Sequence, residues 1–421
     1  MCHVPRAVQG RRGALLRMSS VPRLAQVTRG QPRVQADGFQ VRRNAECAAA
    51  REAERRHKRN GERVMKAIVV RPGERDSIHM RDMPDPKMKP DQVAVKMLRV
   101  GLCGTDAEIN HGLYGKPPDG DEFLILGHEN LGVVEDVGKK VKGWKAGDLV
   151  VSTVRRPCGV CPQCKSGEND MCSSGQYTER GIMRRHGFMA QYYVESPQFL
   201  NKIPKPVRDF AVLLEPMSVV EKGIDHAFLL QRRTTWKPKF GMVLGGGPVG
   251  LLAAAVLRAR GLRTLVIGRE EANDLRAQIS KQLGAQYLCV ANKALPDVPK
   301  ETGYPDLVIE ATGSAKVVFD AMEILGPNGV LCLLSVTGGQ TQNQEPIDLI
   351  NQRLVLGNQV VFGSVNANPR HFAMGVKDFV TIDKKWPGTL SRLLTNRIPW
   401  QDHKSWFNER GSGIKSTLEI S

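Results

Sequence analysis

No apolar run in this chain approaches the ~20 residues that a membrane-spanning helix requires, so no membrane partner is expected. The basic amino-terminal stretch is not followed by an apolar segment of roughly 7–15 residues, so no secretory signal is expected. Residues 1–64 contain a single aromatic, Phe39. Stacking on bases needs aromatic side chains interleaved with the basic ones, so no nucleic-acid partner is expected despite the charge. Internal repeats and low-complexity tracts are absent from residues 65–421.

What is present is unevenly placed. The formal net charge is +18, and residues 1–64 carry 14 Arg and one Lys against five acidic groups, leaving +8 for the remainder. That segment shows no sustained apolar periodicity and is expected to be a disordered basic extension or a frayed helix. Two origins compete for it: an organelle transit peptide, or upstream sequence read through from a mis-set start. The strand-like MKAIVV beginning at Met65 favours the second, which makes the extension non-native. The 421-residue length accommodates two domains with separate cores. Nine cysteines, four of them closely spaced, point to a reducing compartment, and a cytoplasmic location is expected.

The four close cysteines are Cys158, Cys161, Cys164 and Cys172, in the spacing C-x2-C-x2-C-x7-C. Thiols packed this densely on polar, glycine-containing sequence have no core to enter, and four soft ligands on one loop make a closed tetrahedral zinc site. A closed site has no position for substrate, so its role is structural. Of the other five cysteines only Cys103 lies in a polar turn, CGTD.

Residues 65–237 are loop-rich with short β-type runs (Lys66–Val70, Gln92–Val100, Gly132–Val137, Leu149–Thr153) punctuated by Pro and Gly, as a partly antiparallel, barrel-like domain reads. From about residue 238 to 364, apolar strands alternate with helices, which implies an α/β, doubly wound parallel sheet. Residues 365–421 become irregular and finish with the strand-like STLEI. Within MVLGGGPVG, the pattern G-x-G-x-x-G falls on Gly245, Gly247 and Gly250, after a strand and before an alanine-rich helix. In that context it is a dinucleotide-binding turn comprising Gly245, Gly246, Gly247, Pro248, Val249 and Gly250, with the helix amides facing a pyrophosphate. The next strand ends at Gly268-Arg269, where an NAD enzyme usually carries an acidic residue for the ribose hydroxyls. Arginine there favours NADP over NAD, although Glu270 and Glu271 follow and a solvated surface arginine is the alternative.

Cys103, His128 and Glu129 in LGHEN, and Glu215 in LLEP are metal-capable side chains of the loop-rich domain. One thiolate, one imidazole and one carboxylate leave a fourth zinc position open, as a catalytic zinc needs. Individually they have plainer roles, a turn histidine or a helix-capping glutamate.

CGTD, GHENLGVVEDVG, the cysteine lobe, GGGPVG and a carboxy-terminal return to the first domain together resemble the zinc-dependent medium-chain dehydrogenases/reductases, over essentially all of residues 65–421. The segments GLYGKPPDGDEFLILGHE, RHGFMAQYYV, EPMSVVEKGI and FGSVNANPRHF are most similar to the glucose 1-dehydrogenase branch. The resemblance implies a GroES-like catalytic domain with a Rossmann domain, and two zinc ions per chain. It makes Cys103, His128 and Glu215 the catalytic zinc ligands, with Glu129 close enough to exchange with the water on the zinc. Thr105 becomes the proton relay, and Asn366 a neighbour of nicotinamide and sugar. The implied reaction is hydride transfer from the anomeric carbon of an aldose, glucose foremost, to NADP. A polyol, threonine or simple alcohol substrate is the alternative, since Glu as third ligand is shared with sorbitol-type branches. A homo-oligomer, dimer or tetramer, is implied as well. The 64-residue extension has no counterpart in that family.

Overall fold

The computed structural model describes residues 64–338, 345–409 and 413–420. The expectations for residues 1–63 lie outside the described residues.

Val93–Gly101 is the central strand of a seven-stranded sheet. It pairs antiparallel with Glu129–Val137, Tyr192–Glu195 and Lys415–Glu419. The sheet continues through Leu149–Ser152 to Leu200–Lys202 on one side. On the other it ends at Leu394–Pro399, which runs parallel to Lys415–Glu419. Alternating Val93, Val95 and Met97 drive this arrangement: they are fully buried with Phe188, Met189 and Leu418 in one core. The strand-like carboxy terminus therefore enters the middle of the first sheet, and it brings Lys415 with it.

The second sheet has six strands in the order Gln286–Cys289, Arg263–Gly268, Phe240–Leu244, Leu307–Glu310, Val330–Leu333 and Val360–Gly363, all parallel. Counted along the chain this is the order 3-2-1-4-5-6, whose switch point lies between the first and fourth strands. The helix Pro248–Ala259 is buried along Leu251–Leu257 against this sheet, and the helix Leu214–Leu230 packs beside it through Met217, Val220 and Ile224. The helix Leu214–Leu230 starts at the first sheet's site and ends near the second sheet. The polar helix expected before Leu283 spans Leu275–Gln282 and is capped by Asp274, whose side chain accepts from the Arg276 amide.

Among the described residues no helix is long and apolar enough to cross a membrane.

Candidate active site

The strand Val93–Gly101 runs into the short helix Gly104–Asn110, and Cys103 occupies the position just before that helix. Asp106, one turn on, accepts the Cys103 amide through Oδ2 at 2.9 Å, which fixes the turn. Its other oxygen, Oδ1, lies 3.5 Å from His128 Nδ1. Asp106 is fully buried and His128 nearly so. Burial alone would depress the imidazole, but the Asp106 carboxylate outweighs it and holds His128 well above its usual pKa.

Glu129 starts the neighbouring strand opposite Gly101. A Cβ on Gly101 would lie 2.1 Å from Glu129 Oε2, so glycine is what admits this carboxylate to the sheet. Its Oε1 accepts Lys415 Nζ at 2.5 Å, and both side chains are buried. The ligand atoms of Cys103, His128 and Glu129 lie within 4.8 Å of one another. Glu215, at the start of the helix Leu214–Leu230, is not a member of that close trio. It faces the same groups: loss of water pushes its carboxyl up to about 7, with the Glu129 and Asp106 charges adding and His128 and Lys415 opposing. Thr105 is half-buried in the first turn of the short helix, between Cys103 and Asp106.

This donor set fits a cation. Glu129 Oε2 is buried without a hydrogen-bond partner, and one thiol and three carboxylates converge on one imidazole and one ammonium. A bound cation would neutralise this concentration of acceptors and let the carboxyls ionise.

The four lobe cysteines also come together, their sulfurs all within 4.8 Å. Cys158 and Cys164 are 3.8 Å apart and Cys161 and Cys172 are 3.9 Å apart. A tetrahedron with Zn–S bonds of about 2.3 Å has edges of about 3.8 Å, so the arrangement matches zinc. Main-chain amides of Cys164 and Ser173 pull the Cys161 thiol down to about 5, toward the thiolate a metal needs.

At the switch point of the parallel sheet, Gly245 has φ of +113°, and a Cβ there would meet the Ala311 carbonyl at 2.8 Å. A Cβ on Gly250 would lie 1.9 Å from the Gly245 carbonyl oxygen, so the helix approaches the strand only because this residue is glycine. Gly247 precedes the helix with open space around it, and Pro248 occupies the first turn. Gly246 lies against the Arg276 side chain, and Val249 packs at the margin of the core. At the end of the second strand, a Cβ on Gly268 would lie 2.1 Å from the Tyr287 hydroxyl. A side chain at that position would require the Tyr287 ring to move. Arg269 is exposed, and its amide donates to Glu270 Oε2 at 3.2 Å. Asn366 lies in the left-handed region, φ +62°, and donates through Nδ2 to Glu179 Oε1 at 2.6 Å.

Asp106, Glu179 and Lys415 were missed in the sequence. Asp106 stood inside CGTD, three residues after the thiol, and that spacing was the one available signal. Glu179 and Lys415 carried none.

The model of the family described as "Alcohol dehydrogenase GroES-like domain" matches residues 89–205, and that of "Glucose dehydrogenase C-terminus" matches residues 208–420. The chain is 42% identical over 357 residues to glucose 1-dehydrogenase of Methanocella arvoryzae, covering 85% of this chain and 99% of the relative. The chain belongs to the glucose dehydrogenases of the zinc-dependent medium-chain family. Glucose 1-dehydrogenase 1 of Caldivirga maquilingensis is 41% identical over 362 residues, with the same coverage. The solved Haloferax mediterranei glucose dehydrogenase, in complex with NADP, Zn and gluconolactone, superposes with a TM-score of 0.76 at 33% identity. It covers 85% of this chain and 99% of its own.

Proposed function

We propose that this chain is a zinc-dependent glucose 1-dehydrogenase that passes hydride from the anomeric carbon of an aldose to NADP and releases the lactone. The observation that carries it is the close cluster of Cys103, His128 and Glu129, faced by Glu215, in a chain that also carries the glycine turn at the switch point of its parallel sheet. The relatives, which are glucose 1-dehydrogenases, and the NADP, zinc and gluconolactone bound in the Haloferax structure support the substrate and cofactor class.

Cys103, His128 and Glu215 would hold the catalytic zinc, with Glu129, which lies closest to the thiol and imidazole, able to take a place in the set. When bound, zinc supplies Lewis acidity that lowers the pKa of a sugar hydroxyl. Asp106 orients the imidazole of His128 and the Cys103 turn, and Lys415 balances the carboxylates. Thr105, in the same turn as Cys103, accepts the proton leaving the anomeric hydroxyl and passes it toward solvent. Asn366 and Glu179 offer an amide and a carboxylate to the sugar hydroxyls, which a simple alcohol would leave unsatisfied at about 1–3 kcal/mol for each buried group. The turn Gly245–Gly250 fixes the pyrophosphate and so aims the nicotinamide at the anomeric carbon. The C1–H bond breaks with its electron pair moving to the nicotinamide, the O1–H proton is released, and the C1–O1 bond becomes the C=O of the lactone while the ring oxygen stays bonded to C1. A second zinc in the cysteine lobe is structural.

Exposed Ile347, Val355 and Leu356, on the helix preceding the edge strand Val360–Gly363, support a homo-oligomer. The reducing conditions that the free lobe thiols require support a cytoplasmic setting.

Glucose carrying deuterium at C1 tests the reaction. Deuterium is expected in the reduced nicotinamide, with gluconolactone as the other product. Turnover that leaves the label on the sugar would place oxidation at another carbon and overturn the assignment.

A further inference from the structure

Glu168 and Asp170 of the cysteine lobe meet Lys222, Arg155, Arg370 and Asn368, and the contacts converge on the segment around Val365–Arg370. Asp170 is buried two residues before Cys172, in the turn Asn169–Met171. Its carboxylate Oδ2 lies 2.6 Å from Lys222 Nζ, on the helix Leu214–Leu230. The same ammonium donates to the Val365 carbonyl at 2.9 Å. The main-chain carbonyl of Asp170 accepts from Arg155 Nη1, and the Arg155 guanidinium holds Glu179 Oε1 through Nε at 3.0 Å and Nη2 at 2.9 Å. That carboxylate oxygen is the one that receives Asn366 Nδ2 at 2.6 Å. The Asp170 side chain thus reaches Val365 through Lys222, and its main-chain carbonyl, which no side-chain substitution removes, reaches the adjacent Asn366 through Arg155 and Glu179. At the lobe's rim Glu168 adds a third tie, to Arg370 Nη1 at 2.5 Å and to Asn368 Nδ2 at 3.4 Å.

We propose that Asp170 is a positioning residue through which the cysteine lobe holds Asn366 in its sugar-binding orientation. The proposal rests on the assignment of Asn366 to the sugar made above. Asn366 needs such support because it sits in the left-handed region, which asparagine tolerates but does not prefer over extended backbone. Lys222 is buried and so has no water to replace either partner. A lobe that carries no chemistry of its own thereby acts on substrate affinity. Since hydroxyl contacts made by Asn366 are present in both ground and transition states, their loss raises KM and leaves kcat in place.

The test compares Asp170→Asn, Lys222→Met, the double variant Asp170→Asn/Lys222→Met, and Asn366→Ala, each as zinc-loaded full chain. Each single change at the ion pair strands a buried partner and lowers the melting temperature. The double change removes both charges and recovers much of that stability. If Asp170 acts by positioning, the double variant keeps a raised glucose KM, about ten-fold, despite its recovered stability, with kcat and the KM for NADP changing less than about two-fold. A purely structural pair would return both stability and glucose KM to the parent values, and that result overturns the proposal. Glu168→Gln, at the partly exposed rim, reads the same coupling as a smaller rise in glucose KM should the double variant fail to fold; an unchanged KM there would likewise count against it. The Asn366→Ala variant separates the two levels. An unaltered glucose KM in it would remove the sugar assignment of Asn366 and the proposal with it. A raised KM in Asn366→Ala alongside a parental KM in the double variant would overturn the brace alone.

Discussion

Glu195 is the carboxylate at the centre of a buried charge cluster in the loop-rich domain. Its Oε2 accepts from Arg156 Nε at 3.1 Å and from Arg180 Nε and Nη2 at 3.1 and 2.8 Å. Burial would raise this carboxyl, but the two guanidiniums outweigh it and hold it down to about 2. A folded-state pKa below the unfolded value, about 4.3, contributes stability that is complete above the unfolded pKa and is lost as pH falls through the folded one. Unfolding in urea at a series of pH values should therefore show stability declining between about pH 5 and 2. Glu195→Gln should cost about 3–5 kcal/mol at neutral pH, because two buried cations lose their counter-charge, and should flatten that acid decline. A variant as stable as the parent with the same acid limb would contradict this account. Arg269 supports a second prediction. If Arg269 meets the 2′-phosphate, as proposed, Arg269→Ala should reduce kcat/KM with NADP by about ten-fold while leaving NAD nearly unchanged. Equal effects on the two cofactors would show that the arginine does not meet the 2′-phosphate. At this scale the sequence was informative where chemistry is rare. Cys103, His128 and Glu215 stand out because thiol, imidazole and carboxylate are the side chains that metals take. Lys415 did not stand out, since an ordinary lysine 286 positions from Glu129 becomes part of the site only through strand pairing.

The elements divide the work between two sheets and a lobe. Alternating strands and helices made the parallel sheet legible in the sequence, and the glycines of its first turn fixed where a dinucleotide would lie. The order of strands in the first sheet was not legible, because apolar periodicity says which face is buried and not which neighbour is paired. Val93–Gly101 thus receives Lys415–Glu419 across more than 300 residues of sequence, a pairing that no local pattern encodes. The lobe is an element of another kind, held by its four sulfurs, and its removal should be separable from loss of the catalytic metal. Chelation should strip the open site first, since it has a position accessible to a competing ligand. Cys103→Ala should retain one zinc and nearly the parent melting temperature while losing turnover. Cys164→Ala should also retain one zinc but lose thermal stability, with kcat much less affected. Metal analysis paired with thermal unfolding checks this, and equal loss of fold in both variants would argue against separate roles.

Across the whole molecule, the first sheet supplies the acceptors, the second supplies the cofactor turn, and the helix Leu214–Leu230 links them by carrying Glu215 at one end and Lys222 further along. The carboxy-terminal segment closes the assembly by returning Lys415 to Glu129. A site with this many polar groups is built for a polyhydroxylated substrate, because a small apolar alcohol would leave several of them unpaired. The most direct test of that claim is a comparison of kcat/KM for glucose, other aldoses, sorbitol, threonine and ethanol, measured with NADP on protein whose zinc content has been determined. The account predicts that an aldose, with glucose foremost, has the highest value and that ethanol is poor by at least about ten-fold. A higher kcat/KM for ethanol, threonine or sorbitol than for any aldose would contradict it.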